Sequence, residues 1–178
     1  MQFVIRQATA GDAAEIARLV NAAYRPGVGH GGWTHESELV EGDRISPAQV
    51  TEILRNSLIL VGFQGSQLIA CVQIEHNGRQ AHIGMLAVLP ELQAAGVGGA
   101  MLTEAEHYAA AHLGAEDLVL VVVSARSELI AYYRRRGYKE TGQRLAYPLA
   151  SGVGIPRSDA LDLTVLSKRS NKPLQPTG

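Results

Sequence analysis

Cysteine is almost absent: Cys71 is the one cysteine in 178 residues. That excludes an internal disulfide, and its position in the apolar run Leu68 to Ile74 reads as a small buried side chain. A reducing, cytoplasmic compartment is the natural expectation. Charge of one sign is also lacking. The formal net charge is −1, so no general attraction to nucleic acid or to an anionic membrane is implied. No apolar run approaches transmembrane length. Met1 to Ala10 contains Arg6 and Gln7 and no apolar stretch, so no signal peptide is expected. Neither His30 with His35 nor His107 with His112 has a supporting cysteine or the i, i+4 spacing, so no metal site is expected.

The composition that remains, 46% hydrophobic, suits one soluble domain, with no internal repeat. That domain is expected over residues 1–167. The tail, 168–178, carries Asn171, Pro173, Pro176 and Gly178 and is expected to be disordered.

Periodicity places the elements. Phe3 to Arg6 reads as a short strand. Thr9 caps a helix from about Ala10 to Tyr24, with Ala13, Ile16, Leu19, Val20 and Ala23 on one face. Residues 25–45 lose periodicity and read as a long ordered loop. Ser46-Pro47-Ala48-Gln49 opens a second helix with a capping box. Leu58 to Phe63, Leu68 to Glu75 and Gln80 to Val88 form an antiparallel meander turned at Gln64 to Gln67 and at Asn77-Gly78. A helix from Val97 to Leu113 then crosses to the apolar strand Leu118 to Val123, which should lie parallel to residues 80–88 and be covered on both faces. A helix over Ser127 to Arg136 and strands from Tyr138 and over Leu161 to Leu166 complete a mixed α/β sheet with helices on both faces.

The segment between strand 80–88 and the next helix carries chemistry. Pro90 stops the strand, and Gln93-Ala94-Ala95-Gly96-Val97-Gly98 opens the helix. The first N–H groups of a helix lack internal partners and favour an anion, and glycine lets a phosphate approach closely. A plain tight turn would use the same glycines. A P-loop needs Lys and Ser or Thr after its last glycine, but Gly99, Ala100 and Met101 follow Gly98. A dinucleotide fingerprint needs a third glycine where Met101 stands.

These six residues resemble the Q/R-x-x-G-x-G/A signature of the GNAT superfamily of N-acyltransferases. A second segment, Leu129 to Tyr138, resembles that family's helix ending in Tyr-x-x-x-Gly-Phe/Tyr. The resemblance spans roughly residues 3 to 145. It implies the GNAT fold: a single mixed, mostly antiparallel sheet with a central splayed parallel pair. It also implies an acetyl-CoA-dependent N-acetyltransferase, with CoA as product. The acceptor would be a small-molecule or peptide amine that attacks directly, and a homodimer is possible. The alternatives are a non-catalytic acyl-CoA-binding or regulatory module, or an N-acyltransferase using another acyl-CoA.

The resemblance also assigns roles. Tyr133 would protonate the leaving thiolate. The backbone of Leu86 would stabilise the oxyanion, and Leu86, Ala87 and Val88 would pair with the pantetheine arm. Gln93, Ala94, Ala95, Gly96, Val97, Gly98 and Gly99 would hold the pyrophosphate. Arg126 stands where many members have a cofactor-contacting Asn, and Leu129 where many have Ala; both depart from the pattern. The general base stays open. Counting eleven residues back from Gln93 reaches His82, where histone-acetylating members have Glu. Glu75 is a rival, and many members use a water chain. Tyr24, Trp33 and Glu36, with Glu38, Glu41 and Asp43 nearby, give the 25–45 loop an aromatic and acidic character that would suit a cationic amine, or equally a solvated acidic loop with Trp33 packed as an anchor. Arg134 to Arg136 are candidates for the cofactor 3′-phosphate, or simply a solvated helix end.

Overall fold

The computed structural model describes residues 2–171. Its first strand, β1 (Val4–Gln7), is followed after a short 3-10 turn by α1 (Ala13–Tyr24). Thr9 stands before that turn, and its backbone N–H donates to Asp12 at 2.7 Å. The next elements are β2 (Val40–Glu41) and α2 (Pro47–Asn56). The predicted capping box opens α2: Gln49 N–H donates to Ser46 Oγ, and Ser46 N–H donates to Gln49 Oε1.

The meander is present as β3 (Leu58–Gln64), β4 (Gln67–Asn77) and β5 (Gln80–Val88). Gly65 and Gly78 take the positive φ that its two tight turns require. Next come α3 (Val97–His112), β6 (Asp117–Val123), α4 (Ser127–Arg134), β7 (Lys139–Ala146), β8 (Ile155–Pro156) and β9 (Asp162–Arg169). The main sheet has seven strands in the order β1-β3-β4-β5-β6-β9-β7, and β2 pairs separately with β8. Among the described strands only β5 and β6 are parallel, and they pair at just three positions, Gln80 to His82 against Asp117 to Val119. Beyond them the strands diverge. That opening positions the site.

Helices cover both faces. One core joins α3 and α4 residues such as Met101, Leu102, Ile130 and Tyr133 to one face of the sheet. The other joins Ile16, Val20 and Val50 of α1 and α2 to the opposite face. Ile16 and Val20 are fully buried, which stabilises by about 1.5–3 kcal/mol each.

β5 carries a local reversal. Ala81 and Ile83 belong to the α3-side core, whereas Met85 and Ala87 belong to the α1-side core. Side chains of a regular strand alternate, so all four should share a face. The register against β4 shifts between Cys71 and Gln73, and Met85 takes φ 49°, so a bulge inverts the facing there.

Three expectations change. β6 is not covered throughout: Val121 is 41% exposed, because β5 has diverged from that stretch. The long loop contains β2, tied to β8. Chain order persists past Lys168, since β9 runs to Arg169 and Ser170 N–H donates to Glu116 O at 2.8 Å. The rest of the expected tail, 172–178, lies outside the described residues.

Candidate active site

Two cavities meet where β5 and β6 part. One, of about 430 Å³, is lined by Leu86, Ala87 and Val88, by the turn residues Gln93, Ala94, Gly96, Gly98 and Gly99, and by Trp33, Tyr132, Arg135 and Arg136. The other, of about 280 Å³, is lined by Gln73, Glu75, His82, Val119 to Val123, Arg44 and Tyr147. Tyr24, Leu86, Arg126, Leu129 and Tyr133 line both. Five residues that the sequence spreads over more than half the chain therefore form one junction.

The turn before α3 is shaped for an anion. Ala94 has φ 64° and Gly96 φ 87°, so the chain twice enters the left-handed region. Such a conformation, in a non-glycine residue, is held by its surroundings and clusters at functional sites. The N–H groups of Val97, Gly98 and Gly99 make no hydrogen bond among the described residues. Helix-starting amides without partners attract negative charge. A Cβ at Gly98 would meet Tyr132 Oη and Val88 Cγ2 at 3.5 Å, and Arg136 reaches to 3.3 Å from a Cβ at Gly99. Arg136 stacks 3.5 Å over the Tyr132 ring, which also meets Trp33, with ring centroids 5.7 Å apart, and Tyr133, at 5.3 Å. Of the three arginines, Arg134 is drawn away into an ion pair with Glu140. These features fit a phosphate-bearing acyl carrier.

Gln93 is held against the strand end, with its Nε2 donating to Val88 O at 3.2 Å. Its Oε1 is buried without a hydrogen-bond partner in the described structure. Gly32 lies so close that any Cβ would collide with this amide. The loop therefore closes over the turn before α3 through a glycine, which also sets Trp33 beside Tyr132.

Tyr133 sits at the junction, 5% exposed. Its hydroxyl makes no hydrogen bond among the described residues. Burial holds it in the protonated form far above the ordinary tyrosine range, with Tyr24 adding to the shift and Arg126 and Arg136 opposing it. The phenol therefore stays protonated. Leu86 follows Met85, so the strand bulge sets the direction of its peptide. His82 stands opposite Glu75 across β4 and β5, and both line the smaller cavity.

The loop residues are distributed differently from the sequence expectation. Trp33 lines the larger cavity and not the smaller, because it is drawn to Tyr132. Glu36 does line the smaller cavity, but as a partner already engaged. Its Oε2 accepts from Arg25 Nη2 at 2.9 Å and its Oε1 from Arg126 Nη1 at 3.1 Å. Arg126, 6% exposed, also donates to Thr34 Oγ1 at 2.7 Å and lies 5.5 Å from the Tyr24 ring centroid. Glu38, Glu41 and Asp43 are exposed and line neither cavity. Arg25, Arg44, Tyr132 and Tyr147 had no role in the sequence reading. Their positions depend on contacts across the fold, such as Arg25 Nη2 donating to Val153 O at 2.8 Å.

Among the described residues, no group of three or more His, Cys, Asp or Glu is placed to hold a metal ion, and no helix is long and apolar enough to cross a membrane.

The family model described as "Acetyltransferase (GNAT) family" matches residues 15–138. No curated protein matches the chain significantly. Among solved structures, an N-acetyltransferase from Staphylococcus aureus Mu50 superposes with TM-score 0.72 at 17% identity, over 95% of this chain and 98% of that one. The ribosomal-protein-S18-alanine N-acetyltransferase from Escherichia coli gives 0.66 at 17% identity, over 95% and 94%. A GNAT family acetyltransferase from Elizabethkingia anophelis with acetyl-CoA bound gives 0.68 at 17% identity, over 94% and 97%. At these identities the likeness is one of fold.

Proposed function

The chain belongs to the acetyltransferase (GNAT) family, and from that premise we propose that it moves an acetyl group from acetyl-CoA to the amine of a small molecule or peptide by direct attack. The observation that carries this reading is the meeting of two cavities at Leu86 and Tyr133, one bordered by a phosphate-type turn and the other by His82 and Glu75. Acetyl-CoA, when bound, supplies an acetyl thioester activated for acyl transfer.

The protein's own groups have separate tasks. Val97, Gly98 and Gly99 offer amides to the pyrophosphate, and Arg135 and Arg136 add positive charge at the same cavity. Leu86, Ala87 and Val88 offer strand backbone to the pantetheine arm, as an added strand would use it. The amide of Leu86 stands where an oxyanion develops and can stabilise it. An incoming amine must shed a proton, and His82, Glu75 or a water between them takes it. Tyr133 holds a proton for the departing sulfur.

The test is isothermal titration of the folded protein with acetyl-CoA and with free CoA. Binding at micromolar affinity or tighter is expected. No binding to either would mean that the turn at Gln93 to Gly98 is purely structural, and the reading would be withdrawn.

A further inference from the structure

Arg44 has no ion-pair partner among the described residues. It is half-buried and lines the smaller cavity but not the larger, so it is not placed for the phosphates. Its guanidinium makes no hydrogen bond or ion pair among the described residues; it lies 5.6 Å from the Tyr24 ring centroid and close enough to Tyr147 to act on its phenol. The chain holds Arg44 by its backbone instead, with its N–H donating to Asn21 Oδ1 at 2.8 Å.

The surrounding charges do not neutralise it. Glu36 is the carboxylate on this side of the cavity, and Arg25 and Arg126 already share it. Glu36 and, 3.8 Å from Arg126 Nε, Glu128 offset Arg25 and Arg126, so Arg44 supplies the excess positive charge of this wall. Glu41 faces away, 3.8 Å from Arg157. The negative side of the cavity is elsewhere, at Glu75 on β4, next to His82. The Arg44 guanidinium nitrogens stay open to the cavity, and their fork geometry matches a carboxylate.

The geometry points to an acceptor that carries a carboxylate close to its amine, of the free amino acid class, with Arg44 reading the carboxylate while the amine lies toward His82 and Glu75. This rests on the acetyltransferase reading above and narrows its acceptor. It narrows the expected cationic amine to one with an adjacent carboxylate, since Glu36 is paired and Glu38, Glu41 and Asp43 lie outside the cavity. The cavity, at about 280 Å³, lies near the lower end of ligand pockets of about 300–1,000 Å³, which suits a small acceptor rather than a folded protein.

The test uses matched sets of acceptors: proteinogenic amino acids, their carboxamides and the corresponding decarboxylated amines. Thiol release from acetyl-CoA is followed with the wild-type protein, Arg44→Gln and Arg44→Lys, and acetyl-CoA affinity is measured by titration on the same samples. At least one free acid should be acetylated with kcat/KM roughly tenfold or more above its carboxamide and its decarboxylated amine, the discrimination expected of a charge-assisted pair. Arg44→Gln should lower kcat/KM for that acid far more than for its carboxamide, mainly through KM, and Arg44→Lys should recover part of the loss. Equal use of acids, amides and plain amines overturns the proposal, as does an equal effect of Arg44→Gln on all three. Binding of acetyl-CoA without acetylation of any acid overturns it too. Failure to bind acetyl-CoA at all would instead sink the acetyltransferase reading.

Discussion

Glu36 accepts a hydrogen bond from Arg126 at 3.1 Å although the two residues are 90 positions apart. The contact ties the loop that follows α1 to the start of α4, at the junction of the two cavities. Arg25 completes the arrangement and, through Gly42 O at 2.7 Å and Val153 O at 2.8 Å, fastens the β2–β8 pair to the same point.

Glu36→Gln removes the charge that lies between two buried guanidiniums. Breaking one side of a buried ion pair costs about 3–5 kcal/mol. For a chain of this length that corresponds to a fall in Tm of roughly 6–20 °C. Calorimetry on the wild type and the variant reads this directly. An unchanged Tm would mean that solvent reaches the network and that the loop is held by other contacts.

The sequence announced the turn before α3 and the two hairpins because glycine, proline and asparagine have conformational consequences that are local. Asn77-Gly78 and Gly96 are of this kind. It did not announce the bulge at Met85 or the left-handed Ala94, since neither residue type favours positive φ; the sheet and the loop impose it. The roles of the loop acids stay open in the sequence for a related reason. Glu36, Glu38, Glu41 and Asp43 look alike along the chain, and only tertiary contacts separate the buried, doubly paired Glu36 from the three solvated ones. Arg44 was invisible for the same cause: an unpaired guanidinium is defined by what the rest of the fold fails to bring to it. Tyr133 is picked out by the resemblance of Leu129 to Tyr138 to the family's helix, while the missing hydrogen bond at its hydroxyl is not legible in the sequence.

Gly98→Asp tests the phosphate turn without disturbing the scaffold. The space for a Cβ is ordinary at 3.5 Å, φ is not positive, and an acidic residue in the first turn of a helix is favoured by the dipole. The folded variant should keep its Tm within about 2 °C and lose acetyl-CoA affinity by on the order of a hundredfold, as expected when like charges meet at a desolvated contact. Titration calorimetry gives the affinity. Wild-type affinity in a folded Gly98→Asp protein would remove the pyrophosphate from this turn.

Tyr133→Phe removes a hydroxyl that makes no hydrogen bond among the described residues, so the fold should be little affected. If Tyr133 supplies the proton to the leaving sulfur, kcat should fall by about 10²–10⁴-fold while acetyl-CoA still binds. The sign of the pH dependence follows from burial. Because the group is held protonated above its ordinary value, the wild-type rate should not fall as pH rises toward the free-tyrosine value near 10. An alkaline decline near 10 that disappears in Tyr133→Phe would show instead that the phenol ionises as an exposed one does.

Cys71 separates direct attack from a route through an acetylated thiol. The side chain is fully buried, with Sγ 3.6 Å from Met85 O, and burial pushes its thiol up to about 12. The thiolate is the nucleophilic form, so at neutral pH the native protein presents almost none. A disulfide reagent at pH 8 should therefore label Cys71 slowly in the native protein and rapidly in guanidinium, and reagent-treated native protein should keep its acetyl-transfer activity. The pH dependence of stability has the matching sign. The folded value lies above the unfolded one, near 8.5, so the contribution of the neutral thiol is complete below about 8.5 and is lost as pH climbs toward about 12. Cys71→Ala should lose less stability over that alkaline range than the wild type does. Rapid labelling of the native protein, with activity lost in step, would require an accessible thiolate at β4 and would reopen the two-step route.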